Sequence, residues 1–248
     1  MSAATSSATT ALRPDLASVL GANLAAYQAL ADDYRATSPL RIRHAAEWLS
    51  GSLEDNALGS PSAARALDIG CADGSHAFLL AEHGFQVTGI DFSPRMIELA
   101  RRRRSDHNQP TFLEGEFLSG TFLDSQGELT ALDGQFELVV ANAFVHLFPR
   151  PTDEEVVRRA LELVAVDGTA LFSTTVEDSR QEAYLVKAGG DGTSVERWRG
   201  HYPKDDFLSL VRDAAGGEFM ITDLPTTDMR GKAWLTVLAR RRARAVPA

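Results

Sequence analysis

Apolar positions in this chain recur first at helical spacing and then in short extended runs, and the alternation of the two predicts an α/β fold. After Pro14 and Asp15, a helix start, residues Leu16, Val19, Leu20, Leu24, Tyr27, Leu30 and Ala31 keep to one helical face. A break at Thr37-Ser38-Pro39 precedes a second helical pattern carrying Leu40, Ile42, Ala45, Trp48 and Leu49, and residues 51–62 read as a polar linker. A short apolar strand then runs to Ile69, turns through small residues, and gives way to a helix opening at Ser75 or His76 with Ala77, Phe78, Leu79, Leu80 and Ala81 as its apolar face. Phe85 to Asp91 is a second strand, which closes a βαβ unit.

The later pattern continues this alternation. Ser93-Pro94 caps a helix through Met96, Ile97, Leu99 and Ala100. Residues 111–118 read as a third strand, and 119–134 as a long loop with one turn of helix. Residues 136–142 are nearly all apolar, as expected of a central parallel strand covered on both faces. Thr152 caps a helix predicted to end at Asp167-Gly168, and a fifth strand follows over 169–176. Core patterning stops over about 177–203, predicted as a flexible lid near the carboxyl edge of the sheet. A helix over 204–215 and strands over 219–223 and 233–239 complete the chain. The division predicted is a disordered tail (1–13), an N-terminal helical cap (14–62) and one α/β domain (63–242) containing the lid.

Composition narrows the function. The 248 residues suffice for one large domain, and 44% hydrophobic with 24% charged residues is a globular profile. A net charge of −9 argues against a broad polyanion surface and hence against nucleic acid as partner. The arginine runs 101–104 and 240–242 fall at element ends, where a solvated face or a helix dipole accounts for them. Cys71 is the sole cysteine, so no internal disulfide forms and a reducing, cytoplasmic location is expected. No Cys/His spacing fits zinc and no metal is expected. No apolar run reaches the ~18 residues of a membrane span, and residues 1–11 lack the charged start and apolar core of a secretory signal.

The turn between the first strand and its helix carries the candidate chemistry. Gly70 and Gly74 let the backbone turn and a ligand approach, and the ligand meets a helix N-terminus with its unpaired N–H groups. Asp91, at the end of the next strand, is placed to grip both hydroxyls of a ribose. A dinucleotide fingerprint would want glycine where this loop has Ala72 and Ser75, which weakens a nicotinamide oxidoreductase. Leu67-Asp68-Ile69-Gly70-Cys71-Ala72-Asp73-Gly74 instead resembles the first motif of class I S-adenosylmethionine-dependent methyltransferases, with Asp68 as its acid and Ala72 where the family has its central glycine. Asp91-Phe92-Ser93-Pro94-Arg95-Met96-Ile97 is similar to the second motif region of that family.

The resemblance covers about residues 64–240 and implies a seven-stranded, mostly parallel, doubly wound Rossmann-like sheet with an antiparallel last strand. It implies that Phe92 and Met96 pack on adenine, with core packing the competing role for Met96. Glu116, with Phe117 beside it, would receive the adenine amino group, and Asn142 and Ala143 would touch the cofactor below its sulfonium. Tyr34 and Arg41 match residues near the methionine carboxylate, or else are a packing tyrosine and a surface arginine. Cys71 is a small packing residue of the cofactor loop.

The implied activity is in-line transfer of a methyl group from S-adenosylmethionine to an oxygen or nitrogen of a small molecule, releasing S-adenosylhomocysteine. His146 and His201 are the candidate bases, with Glu177 or Asp178 behind them, and a structural role competes for His146. In the lid, Arg180, Tyr184, Arg197 and Trp198 are the candidate acceptor contacts, and Arg180, Arg197 and Arg199 point to an anionic acceptor. A monomer or homodimer is expected, without membrane or nucleic-acid partner. The alternatives are a protein of this fold that binds the cofactor without methyl transfer, such as a cyclase or binding module, and a nucleic-acid or protein methyltransferase.

Overall fold

A computed structural model describes residues 14–34, 64–104, 108–132, 134–189, 191–224, 227–228 and 232–243. The expected tail (1–13), second cap helix (40–49), linker (51–62) and Arg41 lie outside the described residues.

Twelve strands are described: β1 (Arg65–Ile69), β2 (Gln86–Asp91), β3 (Thr111–Glu114), β4 (Phe122–Leu123), β5 (Leu129–Thr130), β6 (Phe136–Asn142), β7 (Val164–Val176), β8 (Gln181–Ala188), β9 (Ser194–His201), β10 (Phe219–Asp223), β11 (Thr227–Asp228) and β12 (Ala233–Arg241). The helices are α1 (Leu16–Ala29), α2 (Ser75–Glu82), α3 (Pro94–Arg102), α4 (Thr152–Glu162) and α5 (Lys204–Ala215). The main sheet runs β10-β12-β7-β6-β1-β2-β3-β4-β5, with β11 alongside β12. Strands β7, β6, β1, β2 and β3 are parallel, and β12 inserts antiparallel between β7 and β10. The expected doubly wound sheet with an antiparallel last strand is therefore present, extended by the short strands β4, β5 and β11.

Alternate residues of the central strands feed two cores. Leu138 and Val140 of β6 pack with Ala77, Phe78 and Leu80 of α2 and Ile97 of α3. Val139 and Ala141 face the opposite way, among Val156 and Val157 of α4 and Phe207 and Val211 of α5. A strand buried on both faces needs no polar alternation, which is why 136–142 reads as a continuous apolar run.

Three elements differ from expectation. The loop over 119–134 is a β4–β5 hairpin, whose turn is held by Asp124 Oδ1 accepting from the N–H groups of Gln126 and Glu128. Asp167-Gly168 does not end a helix: α4 stops at Glu162, and Asp167 (φ +62°) lies in a bulge of β7, where the register to β6 shifts between Phe136 and Leu138. The presumed lid is an ordered antiparallel hairpin, β8–β9, forming a sheet of its own. Asn23 of α1 fastens it, accepting from Trp198 N–H at 2.8 Å while donating to Leu147 C=O at 3.0 Å.

Candidate functional site

The site begins where β1 ends. Gly70 adopts φ +70°, and a Cβ there would stand 2.6 Å from the ring of Phe144, so only glycine fits. Gly70 and Cys71 both donate to Ile90 C=O at 2.9 Å, which bends the chain over the tip of β2. Ala72 takes φ +48°, a left-handed conformation that L side chains disfavour. Gly74 (φ +77°) then hands the chain to α2.

Asp91 anchors this loop. Its Oδ2 accepts from Ala72 N–H at 3.0 Å and its Oδ1 from Ser93 N–H at 2.9 Å. Burial nevertheless pushes its carboxyl up to about 6, the two N–H groups opposing the rise. Asp68 lies deeper: burial and then the charge of Asp91 push it up to about 7, and its Oδ2 is buried without a hydrogen-bond partner among the described residues. Burial, with three aspartates behind it, holds the Cys71 thiol well above its usual range, so this cysteine is inert as a nucleophile. Asp73 is tied to Ser75 and lies 3.7 Å from Arg103.

A cleft opens over this loop in two lobes that share Gly70, Asp91, Phe92, Phe144 and Leu147. One lobe, about 680 Å³ with its open mouth, adds Tyr27, Tyr34, Cys71, Ala72, Asn142 and Ala143 to its wall. The other, about 360 Å³, is apolar apart from Asn23 and the carboxylates of Asp91 and Glu116, and reaches Ile90, Phe117 and Phe148. Phe144 stands edge-on to Phe117 and Phe148, with ring centres 6.0 and 5.1 Å apart, which makes a firm aromatic wall. Both oxygens of Glu116 accept N–H groups of the following 3₁₀ turn, at 2.8 Å from Leu118 and Ser119. Ser173 donates to the side chain of Asn142 and fixes it at the cleft wall.

Of the expected cofactor residues, Tyr34, Gly70, Cys71, Ala72, Asp91, Phe92, Glu116, Phe117, Asn142 and Ala143 line this cleft. Asp68 and Gly74 support it from behind: Asp68 is 1% exposed, and a Cβ at Gly74 would stand 2.8 Å from the ring of Phe112. Met96 belongs to the core, 1% exposed on the inner face of α3, and does not reach the cleft.

Neither candidate base reaches the cleft. His146 is fully buried on the 3₁₀ turn after β6, with Nδ1 3.0 Å from Thr174 Oγ1. His201, at the end of β9, lies 3.5 Å from Glu177, and burial followed by the charge of Arg199 lowers its pKa. Arg180 also turns away, donating to Asp153 at 2.8 Å and Glu182 at 2.6 Å while its guanidinium stacks on Tyr202. Tyr184 packs edge-on against its cross-strand partner Trp198. Arg197, 7% exposed, reaches the hydroxyl of Tyr27.

Sequence patterning misses Tyr27 and His76 as wall residues, because Tyr27 reads as part of an apolar helix face and His76 as a helix start, and it does not single out Phe144 in the segment that follows Asn142 and Ala143. Among the described residues, no three His, Cys, Asp or Glu side chains are grouped so as to hold a metal ion, and no helix is long and apolar enough to cross a membrane.

A family model described as a methyltransferase domain matches residues 66–168. The putative methyltransferase YqeM of Bacillus subtilis is 30% identical over 176 residues, covering 67% of this chain and 62% of that protein. Rat (Rattus norvegicus) glycine N-methyltransferase is 31% identical over 145 residues, covering 57% and 47% respectively. The chain thus spans less than two thirds of the length of these relatives. The fold matches the Burkholderia thailandensis 1,6-didemethyltoxoflavin N1-methyltransferase, solved with 1,6-didemethyltoxoflavin and S-adenosylhomocysteine, at TM-score 0.62 and 21% identity over 91% of this chain and 88% of that one. Taken with the strand order and the loop geometry, these matches identify residues 66–168 as a class I, S-adenosylmethionine-dependent methyltransferase domain.

Proposed function

We propose that this chain transfers the methyl group of S-adenosylmethionine to an oxygen or nitrogen of a small molecule held between the Gly70–Gly74 loop, α1 and the β8–β9 hairpin. The observation that carries this is the two-lobed cleft at the carboxyl ends of β1, β2 and β6, with Gly70, Asp91 and Phe144 common to both lobes. Its residues suit the cofactor: a glycine cradle that a Cβ would fill, a buried carboxylate at the strand end, and an apolar lobe closed by aromatic rings.

S-adenosylmethionine supplies a methyl group already activated by its sulfonium, so the work left to the chain is alignment and exclusion of water. Asp91 would take the ribose hydroxyls, Phe92 and Phe117 the faces of adenine, and Glu116 its amino group. The second lone pairs of Glu116 remain available beyond the two backbone N–H groups it caps. Asn142 and Ala143 would border the transfer path, with Tyr27 and Tyr34 opposite. A proton leaving the acceptor can pass to the imidazole of His76, a wall group able to take it directly or through water. A small-molecule partner also suits the net charge of −9, which opposes nucleic acid, and the lone cysteine suits a reducing, cytoplasmic setting.

Calorimetric titration with S-adenosylmethionine and S-adenosylhomocysteine tests the cofactor half. Micromolar binding is expected, weakened by about 1–3 kcal/mol in Asp91→Ala as ribose hydroxyls lose their acceptor. No binding by the wild type would sink the proposal. The transfer half is read as S-adenosylhomocysteine released over a panel of amines and alcohols. Tight binding with no release from any of them would favour a cofactor-binding protein of the same fold.

A further inference from the structure

A buried guanidinium ordinarily lies against a carboxylate, because its desolvation is otherwise uncompensated. Arg180 follows that rule, with Asp153 and Glu182 both in contact. Arg197 does not. It is 7% exposed, and its Nη1 donates to Tyr27 Oη at 2.5 Å, with the guanidinium carbon 5.6 Å from the centre of that ring. Among the described residues no carboxylate lies within ion-pair distance of it. Five N–H donors thus meet one neutral hydroxyl, and Tyr27 is itself part of the cleft wall.

The surroundings extend this positive charge toward the site. Two residues along the same face of β9, Arg199 donates to Thr175 Oγ1 at 2.6 Å. Thr175 stands two residues beyond Ser173, whose hydroxyl holds the cleft residue Asn142. The two arginine Cα positions are about 7 Å apart along an extended strand, which puts both residues on one face of the hairpin. Lys187 of β8 adds its ammonium 5.4 Å from the ring of Tyr34 and 5.9 Å from that of Tyr27. Lys187 thus joins Arg197 beside the two cleft tyrosines, in a chain whose net charge is −9.

Building on the methyl-transfer reading above, we propose that the methyl acceptor carries an oxyanion, a carboxylate or a phosphoryl group, and that Arg197 is the side chain that binds it. The guanidinium fork offers two parallel N–H groups to such an anion, which fixes orientation as well as charge. Anchoring the acceptor at this end leaves its nucleophilic end to reach across Tyr27 toward Asn142 and Ala143. The same attraction disfavours neutral analogues, since they leave the buried cation uncompensated.

The test has two arms on the whole chain. In the first, S-adenosylhomocysteine release at saturating S-adenosylmethionine is compared over matched pairs of amino and hydroxy compounds, each a carboxylate or phosphate monoester against its neutral amide or ester. The charged member is expected to be favoured by about 30-fold or more in kcat/KM. Arg197→Gln is expected to remove that preference by raising KM, with cofactor affinity unchanged, and Arg197→Lys to restore part of it. Whether carboxylates or phosphates lead tells which oxyanion the site takes. Equal release from charged and neutral members overturns the anion proposal and leaves methyl transfer standing.

The second arm needs neither turnover nor a folded variant. The wild-type complex with S-adenosylhomocysteine is melted in inorganic phosphate, in acetate and in chloride at equal ionic strength. A rise in Tm specific to phosphate or acetate supports the proposal, and identical melting in all three overturns it. Failure of S-adenosylhomocysteine to bind at all overturns the methyl-transfer reading instead.

Discussion

Cofactor affinity should fall as pH drops through 6, and Asp91 sets the size of the fall. In the proposed role the ionised carboxylate accepts ribose hydroxyls, whereas the protonated group loses an acceptor and must shed a proton before binding. Burial raises this carboxyl to about 6 in the free protein. Affinity then scales with the ionised fraction, so Kd rises about tenfold between pH 7 and pH 5, or about 1.4 kcal/mol. Stability of the free protein moves the other way. Between the ordinary aspartate value of 3.8 and about 6 the native state holds more protons than the unfolded chain, so stability declines as pH rises through that window. The Asp91 contribution amounts to about 3 kcal/mol by pH 7, and Asp68, raised to about 7, adds to it in the same direction over a window reaching one pH unit higher. Asp91→Asn should bind the cofactor more weakly and, because it trades the buried charge for one lost acceptor to Ala72 or Ser93 N–H, its Tm in the absence of cofactor should depend less on pH between 5 and 8 than that of wild type. Titration calorimetry with S-adenosylhomocysteine at pH 5, 6 and 7, with circular dichroism to verify the fold, measures the first effect, and thermal melts of both proteins measure the second. A wild-type Kd constant within twofold over that range would refute the assignment of ribose binding to an elevated Asp91.

Gly70→Ala should cost about 2 kcal/mol or more in urea unfolding, because its Cβ meets Phe144 at 2.6 Å on a backbone of φ +70°; a loss under half of that would mean the aromatic wall yields easily. Ala72→Gly should gain about 1 kcal/mol by relieving the left-handed alanine at φ +48°, and a lower Tm would show that the loop is unstrained. His146→Ala should lose about 2–4 kcal/mol of stability as a fully buried side chain is deleted, while the pH profile of turnover keeps its shape; a stable variant without turnover would restore the histidine as a base. Asn23→Ala removes the acceptor of Trp198 N–H and the donor to Leu147 C=O, so about 2 kcal/mol should be lost and hairpin amides should exchange faster with deuterium. Unchanged exchange would show that the hairpin is held elsewhere.

The loop and strand end that floor the cleft were legible because their signals are local. Gly70 and Gly74 take backbone angles that glycine favours, and Asp91 ends a strand whose apolar run marks its own boundary. The hairpin was not legible as strands. Residues Arg197, Trp198, Arg199 and Gly200 are all buried, so no alternation of polar and apolar positions survives in β9. The turn signal was present in the glycines at 189, 190 and 192, flanked by runs of equal length. Asp167-Gly168 has the composition of a helix stop, yet the pull of β6 and β12 on β7 turned it into a bulge. Met96 and His146 illustrate a different limit: helical or turn position is readable from sequence, but whether a side chain faces a cleft or the core depends on partners far along the chain. Tyr27 shows the converse, an apolar-face residue whose hydroxyl end borders the site because α1 lies beside β9.

The β8–β9 hairpin leaves the sheet at Val176 and rejoins it at Tyr202, and those two residues bridge each other, with Glu177 N–H bonded to Tyr202 C=O at 2.9 Å. Entry and exit are thus adjacent, and the hairpin pairs its strands only with each other. It can be lengthened, shortened or exchanged as a cassette without altering the register of any strand that forms the cofactor lobe. If the hairpin holds the acceptor as proposed, acceptor choice and cofactor binding are separable in inheritance as well as in space, and a chimera carrying a foreign hairpin between positions 176 and 202 has a ready-made graft point.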